Sequence, residues 1–179
     1  EMKKLYEKNE MTFAIVWIVI YCVLQSLANP LNEMIGIPYS ASAVFCALQT
    51  VVLFVFLQKN GLSKRYGLCK SSLPASRFLY YIPLVILATR NFWNGATVNY
   101  SLAGTICFIL CMLCVGFEEE VIFRGFLFRA MEKDNVKTAI VVSSVTFGLG
   151  HLLNLVNGSG AGIAENLIQV TAAIAIGFL

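Results

Sequence analysis

Three consecutive glutamates, Glu118-Glu119-Glu120, stand directly after the apolar run Leu102–Phe117. The chain turns apolar again with Val121-Ile122-Phe123, then carries Arg124 ahead of Gly125-Phe126-Leu127-Phe128. An ionised residue near a bilayer centre costs about 2.5–3.5 kcal/mol on the insertion scale. Such a cluster is therefore a surface feature or part of a working site. The single histidine, His151, lies further along, in Phe147-Gly148-Leu149-Gly150-His151. A carboxylate in an apolar setting can serve as a general base near neutral pH. A histidine beside it can orient a water molecule or carry its proton. Together they suggest water activation. Hydrolysis of an amide would also need oxyanion donors, and no convincing donor pair is visible in the sequence.

Spacing brings the two groups to one level. If the fourth and fifth apolar spans form a hairpin turning near Asn135, Glu119 lies 16 residues before the turn and His151 lies 16 after it. In antiparallel helices equal offsets mean equal depth, about 24 Å along the helix from the turn. At 100° per residue, Glu120 and Arg124 stand about 40° apart, an i,i+4 pair with the acid first. Glu119 is about 140° from Arg124 and Glu118 about 120° from it. Glu120 is thus the natural partner of Arg124, Glu119 is free for another role, and Glu118 has no assigned partner. Ser144, Phe147, His151 and Asn154 fall on one helical stripe that could face the fourth span. Plainer readings exist for each part. A glutamate run often caps a helix in the cytosol, a lone intramembrane histidine often only donates a hydrogen bond, and arginines anchor cytoplasmic helix ends. The depth match favours a site.

The elements that must position these residues are membrane helices. Apolar residues make up 58% of the 179-residue chain and charged residues 13%, about half the charged share of a soluble domain. The expected fold is all-α, a polytopic transmembrane bundle forming a single domain over 1–179. Six spans are expected: Met11–Ala28, Tyr39–Gln58, Phe78–Trp93, Leu102–Phe128, Lys137–Leu155 and Ile163–Leu179. Pro83 should kink or tilt the third. Ser26-Leu27-Ala28 weakly resembles a signal cleavage site, but an uncleaved first helix is expected because five spans follow. Both chain ends read as internal, so one or two further helices are expected after Leu179.

Lysine and arginine set the orientation. Twelve of the thirteen fall in the N-terminal arm, the loop after the second span, and the hairpin after the fourth; the exception is Arg90. The N-terminus and the Asn135 turn are therefore expected on the cytoplasmic side. The net charge of +3 forms no basic stripe with exposed aromatics, so nucleic acid is not an expected partner. Five of the six cysteines lie within apolar runs and read as small apolar filler.

Glu119-Glu120-Val121-Ile122-Phe123-Arg124 is E-E-x-x-x-R, and Phe147 to His151 is F-x-x-x-H. In this order on adjacent membrane helices, the two motifs resemble the CPBP family. That family comprises CAAX-type prenyl endopeptidases and bacterial bacteriocin-processing or abortive-infection (Abi) proteins. The resemblance covers a motif core at 102–155. It implies an intramembrane endopeptidase in a bacterial plasma membrane, acting on a peptide or protein near the cytoplasmic face. It implies catalytic roles for Glu119 and His151, with support from Glu120, Arg124, Phe147 and Asn154. Family members are described either as zinc enzymes, in which Glu119 and His151 would be ligands, or as metal-independent. The family pattern also has a later helix with a second histidine, which this sequence lacks. A part in bacteriocin maturation or self-immunity is the expected role, ahead of CAAX processing. The rivals are a non-catalytic immunity or interaction protein on the same scaffold and a proton-coupled transporter component.

Overall fold

The long apolar runs and the capping residues around them set the helix ends. The computed structural model describes residues 1–89, 93, 95, 98–156 and 162–178. It is helical, with no strand among the described residues. A short helix α1 (Met2–Lys8) leads into α2 (Glu10–Ile35), whose first turn is capped by Asn9 Oδ1 accepting from Thr12 N at 2.8 Å. Helix α2 runs on past the expected end at Ala28, through Pro30, and stops at Gly36, which takes a left-handed conformation (φ 74°) suited to glycine. The extension has a structural use. Asn32 Oδ1 accepts from Ala41 N at 2.8 Å, and Asn32 Nδ2 donates to Ser42 Oγ at 2.8 Å. Asn32 thereby caps the start of α3 (Ser40–Lys59).

Helices α2 and α3 are each long and apolar enough to cross a membrane, with mean hydropathy 2.1 and 2.2. Their outer faces expose Ile15, Val19, Val23, Val44, Leu48 and Val51, a surface suited to lipid. The third expected span is broken into pieces. A 3₁₀ segment, Ala75–Tyr81, turns into α4 (Ile82–Ala88), with Pro83 in the first turn, where its missing N–H costs nothing. Arg90 and residues 157–161, on which part of the loop-charge argument rests, lie outside the described residues.

The fourth span is one helical run made of α5 (Leu102–Glu119), a π-helical segment at Glu120–Leu127, and α6 (Phe128–Glu132). Ser101 Oγ caps its start by accepting from Gly104 N at 3.2 Å. The turn then reaches Asn135, which caps α7 (Val136–Gly150) by accepting from Thr138 N at 3.0 Å. The fifth span is not continuous. Helix α7 ends at Gly150, His151 is its C-cap, and α8 (Leu153–Val156) follows after a break. Two glycines in the last turn, Gly148 and Gly150, weaken the helix there. Helix α9 (Ile163–Gly177) closes the described chain.

Two cores hold the helices. Small side chains, Ala43 and Cys46 against Cys111 and Cys114, let α3 and α5 approach closely, and all six cysteines are free thiols. The second core is aromatic. The Phe13 ring lies 5.1 Å from Phe56 and 5.0 Å from Phe126, and Tyr66 stands edge-on to Phe126 at 5.0 Å. Beside it, Glu10 binds Arg65 at 2.9 Å and Lys133 at 2.8 Å. The N-terminal arm, the loop after α3 and the α6–α7 turn thus meet at one end of the bundle.

Glu10 stands just ahead of the apolar stretch of α2. Burial works to raise its carboxyl pKa, but the Lys133 ammonium and Arg65 guanidinium outweigh this and hold it below the ordinary value. A lowered folded pKa gives stability that is complete above the unfolded value, about 4.3, and is lost as pH falls through the folded one. Glu10→Gln should therefore cost about 1 kcal/mol at pH 7. The deficit against wild type should vanish in acid, as read from melting in micelles across pH.

Candidate functional site

Three adjacent glutamates on a helix point in three directions, about 100° apart. Each meets a different environment. Glu118 is fully buried, and Thr50 Oγ1 of α3 donates to its Oε1 at 3.0 Å. Its Oε2 is buried without a partner among the described residues. Glu119 is partly buried, and Tyr21 Oη of α2 donates to its Oε1 at 2.9 Å. Glu120 is exposed and pairs with Arg124, Nε to Oε1 at 3.1 Å.

Glu119 and His151 both line one cavity of about 830 Å³, together with Tyr21, Phe123 and Phe147. A chain of edge-to-face rings runs round its wall. Tyr21 meets Phe123 at 6.3 Å, Phe123 meets Phe147 at 5.7 Å, and Phe147 meets the His151 imidazole at 5.3 Å. Such contacts favour fixed ring orientations. His151 is half-buried and sits at the C-cap of α7. Arg124 stands outside this chain. Its guanidinium lies 5.9 Å from the Phe147 ring centre, and Nη2 donates to Ile176 O of α9 at 3.2 Å. It therefore ties the π segment to α7 and α9.

Of the expected stripe, Phe147 and His151 share the cavity wall and meet edge-on. Ser144 is buried against α9, where a Cβ on Gly177 would come within 2.7 Å of Ser144 Cβ. Phe147 also meets the π segment, through Phe123. The helix break falls after His151, between it and Asn154. The Asn154 side chain lies outside the described residues. A further difference is the π segment itself, which changes the angles beyond Glu120. A π-helical stretch inside an α-helix is uncommon and is often found at functional sites.

Tyr21 and Thr50 are absent from the sequence-derived site. The signal available for them was a hydroxyl inside an otherwise apolar span. The sequence separations, 98 residues to Glu119 and 68 to Glu118, hid the pairing.

Catalytic zinc sites usually have three protein ligands and a water. Among the described residues, no group of three or more His, Cys, Asp or Glu stands close enough to hold a metal. Glu119 and His151 would supply two ligands, and Tyr21 already occupies one Glu119 oxygen. The described donor set does not make a zinc site, so no step is derived through a metal.

This is an all-helical membrane protein with a carboxylate and a histidine on the wall of one internal cavity. Residues 101–179, which carry both motifs and run from the start of α5 through α9, match the family described as type II CAAX prenyl endopeptidase Rce1-like. That is the CPBP/CAAX protease family to which the two motifs point, and the kind of function it supports is CAAX-type intramembrane proteolysis. No curated protein matches the chain, and no solved structure does.

Thr50→Val removes the described donor to a fully buried carboxyl. It should destabilise the fold by about 1 kcal/mol, within the range for lost hydrogen bonds in membrane proteins. Adding Glu118→Met should recover most of the loss, because the buried polar group goes too. Chemical denaturation of the two variants in micelles reads both effects.

Proposed function

We propose that the chain hydrolyses a peptide bond at the cytoplasmic membrane face with a water activated by Glu119 and His151. The observation that carries this is the placing of both side chains on one cavity wall, with Tyr21 holding one Glu119 oxygen. The other oxygen is left to take a proton from water. The hydroxide formed would attack the substrate carbonyl, and as the C–N bond breaks Glu119 would give that proton to the leaving amine, with the His151 imidazole orienting the water or relaying the proton. Glu120, Arg124 and Phe147 position the site: the ion pair steadies the π segment, and Phe147 steadies the histidine ring.

The end of the bundle that gathers the basic segments faces the cytoplasm on the positive-inside rule. The substrate is then a membrane-proximal peptide or protein segment. The matched family favours CAAX-type processing; bacteriocin maturation or self-immunity remains a reading by resemblance to the wider family. Zinc is not required by this reading. A non-catalytic interaction role on the same scaffold is the second reading.

A vesicle assay with a fluorogenic prenylated CAAX peptide separates the two. Glu119→Gln and His151→Ala should each lower turnover at least about 100-fold with melting unchanged. Tyr21→Phe should lower it less, about tenfold. Full turnover in the first two variants would sink the peptidase reading.

A further inference from the structure

A second cavity, of about 400 Å³, opens between the loop after α3 and the π segment, and three arginines line it: Arg65, Arg124 and Arg129. Its wall is otherwise largely apolar, with Phe117, Val121 and Leu68. We propose that this cavity binds a phosphate group at the cytoplasmic headgroup level, separately from the Glu119–His151 cavity and independently of the peptidase reading.

The three guanidiniums come from separate places in the chain: the loop after α3, the π segment and α6. Each is held by a carboxylate that takes only part of its five-donor fork. Glu10 meets Arg65 Nη2 at 2.9 Å, Glu120 meets Arg124 Nε at 3.1 Å, and Glu132 meets Arg129 Nη1 at 2.8 Å. Arg124 Nη2 also donates to Ile176 O at 3.2 Å. Arg65 is further steadied on the Tyr66 and Tyr6 rings, at 5.7 and 6.0 Å. The carboxylates fix the forks and leave other N–H groups open, since the three side chains remain 32–42% exposed. Preorganised forks lose less freedom when they bind an anion.

Charge agrees with the geometry. The lining carries three cations against one carboxylate, Glu120. Glu10 and Glu132 offset part of this from outside the lining, and Lys133 on Glu10 restores some of it. Three guanidiniums spread around one space suit a group with three or four oxygens better than a two-oxygen carboxylate. The cavity also lies beside the Glu10–Arg65–Lys133 cluster, at the end of the bundle where phosphate headgroups would stand. Arginines and apolar side chains lining one cavity suit a phosphodiester with an acyl chain, but a free phosphate would meet the same forks.

The test uses the full chain in maltoside micelles and reads binding by calorimetry and melting temperature. The probes are inorganic phosphate, dioctanoyl phosphatidylglycerol and uncharged dioctanoylglycerol. Saturable binding of a phosphate probe, with dioctanoylglycerol at least tenfold weaker than the phospholipid, supports the site. A phospholipid at least tenfold tighter than inorganic phosphate identifies a lipid headgroup as the source; similar affinities identify free phosphate. Arg65→Gln with Arg129→Gln should weaken phosphate binding at least tenfold, and the two Lys replacements should recover part of it. The proposal is overturned if wild type binds neither phosphate probe saturably, if dioctanoylglycerol binds as tightly as the phospholipid, or if the double Gln variant binds like wild type. If that variant does not fold, the wild-type comparison of phospholipid with dioctanoylglycerol decides.

Discussion

A carboxyl group inside a membrane bundle must find a hydrogen-bond donor, and the fold is organised around meeting that need twice at adjacent residues. Glu118 takes the hydroxyl of Thr50 from α3, and Glu119 takes that of Tyr21 from α2. Two bonds from neighbouring positions thereby fix the rotation and depth of α5 against both preceding helices. The small-residue seam of Ala43, Cys46, Cys111 and Cys114 lets α5 come close enough to α3 for the Thr50 bond to form. The third glutamate needs no such helper. It is exposed and finds its own cation four residues on.

The proposed site stands at a break in regular structure. A straight helix through 136–156 would have run on past His151. Instead α7 stops at Gly150, and the histidine sits at the cap, edge-on to Phe147. Gly148 lets α9 come close to α7: a Cβ there would come within 3.0 Å of Val170 O on α9. On the facing helix the π segment carries Phe123 and Arg124, which grip Phe147 from two directions. Each catalytic candidate is therefore held by a neighbour that is itself held by a second helix.

Local features were legible in the sequence. Hydropathy located α2 and α3, the polar stretch at 132–135 located the turn before α7, and the four-residue spacing paired Glu120 with Arg124. The two motifs pointed to the family whose model matches residues 101–179. Features that depend on tertiary packing were not legible. The Tyr21 and Thr50 hydroxyls look like isolated polar residues until the helices are brought together. The π segment has no periodic signature of its own. The close approach of α9 at Gly148 and Gly177 is not legible because a glycine contact leaves no hydrophobic pattern. Helix α2 outruns the expected span, because its reason to continue past Ala28, Asn32 capping α3, lies in another element.

The central claim is that Glu119 and His151 act on one water as a unit. A double-mutant cycle on peptide turnover tests this most directly, comparing Glu119→Gln, His151→Ala and the pair. Groups that share one step are strongly non-additive. The account predicts that the double variant is no slower than the slower single variant, within about threefold. Losses that multiply across the two sites would show independent roles and contradict it.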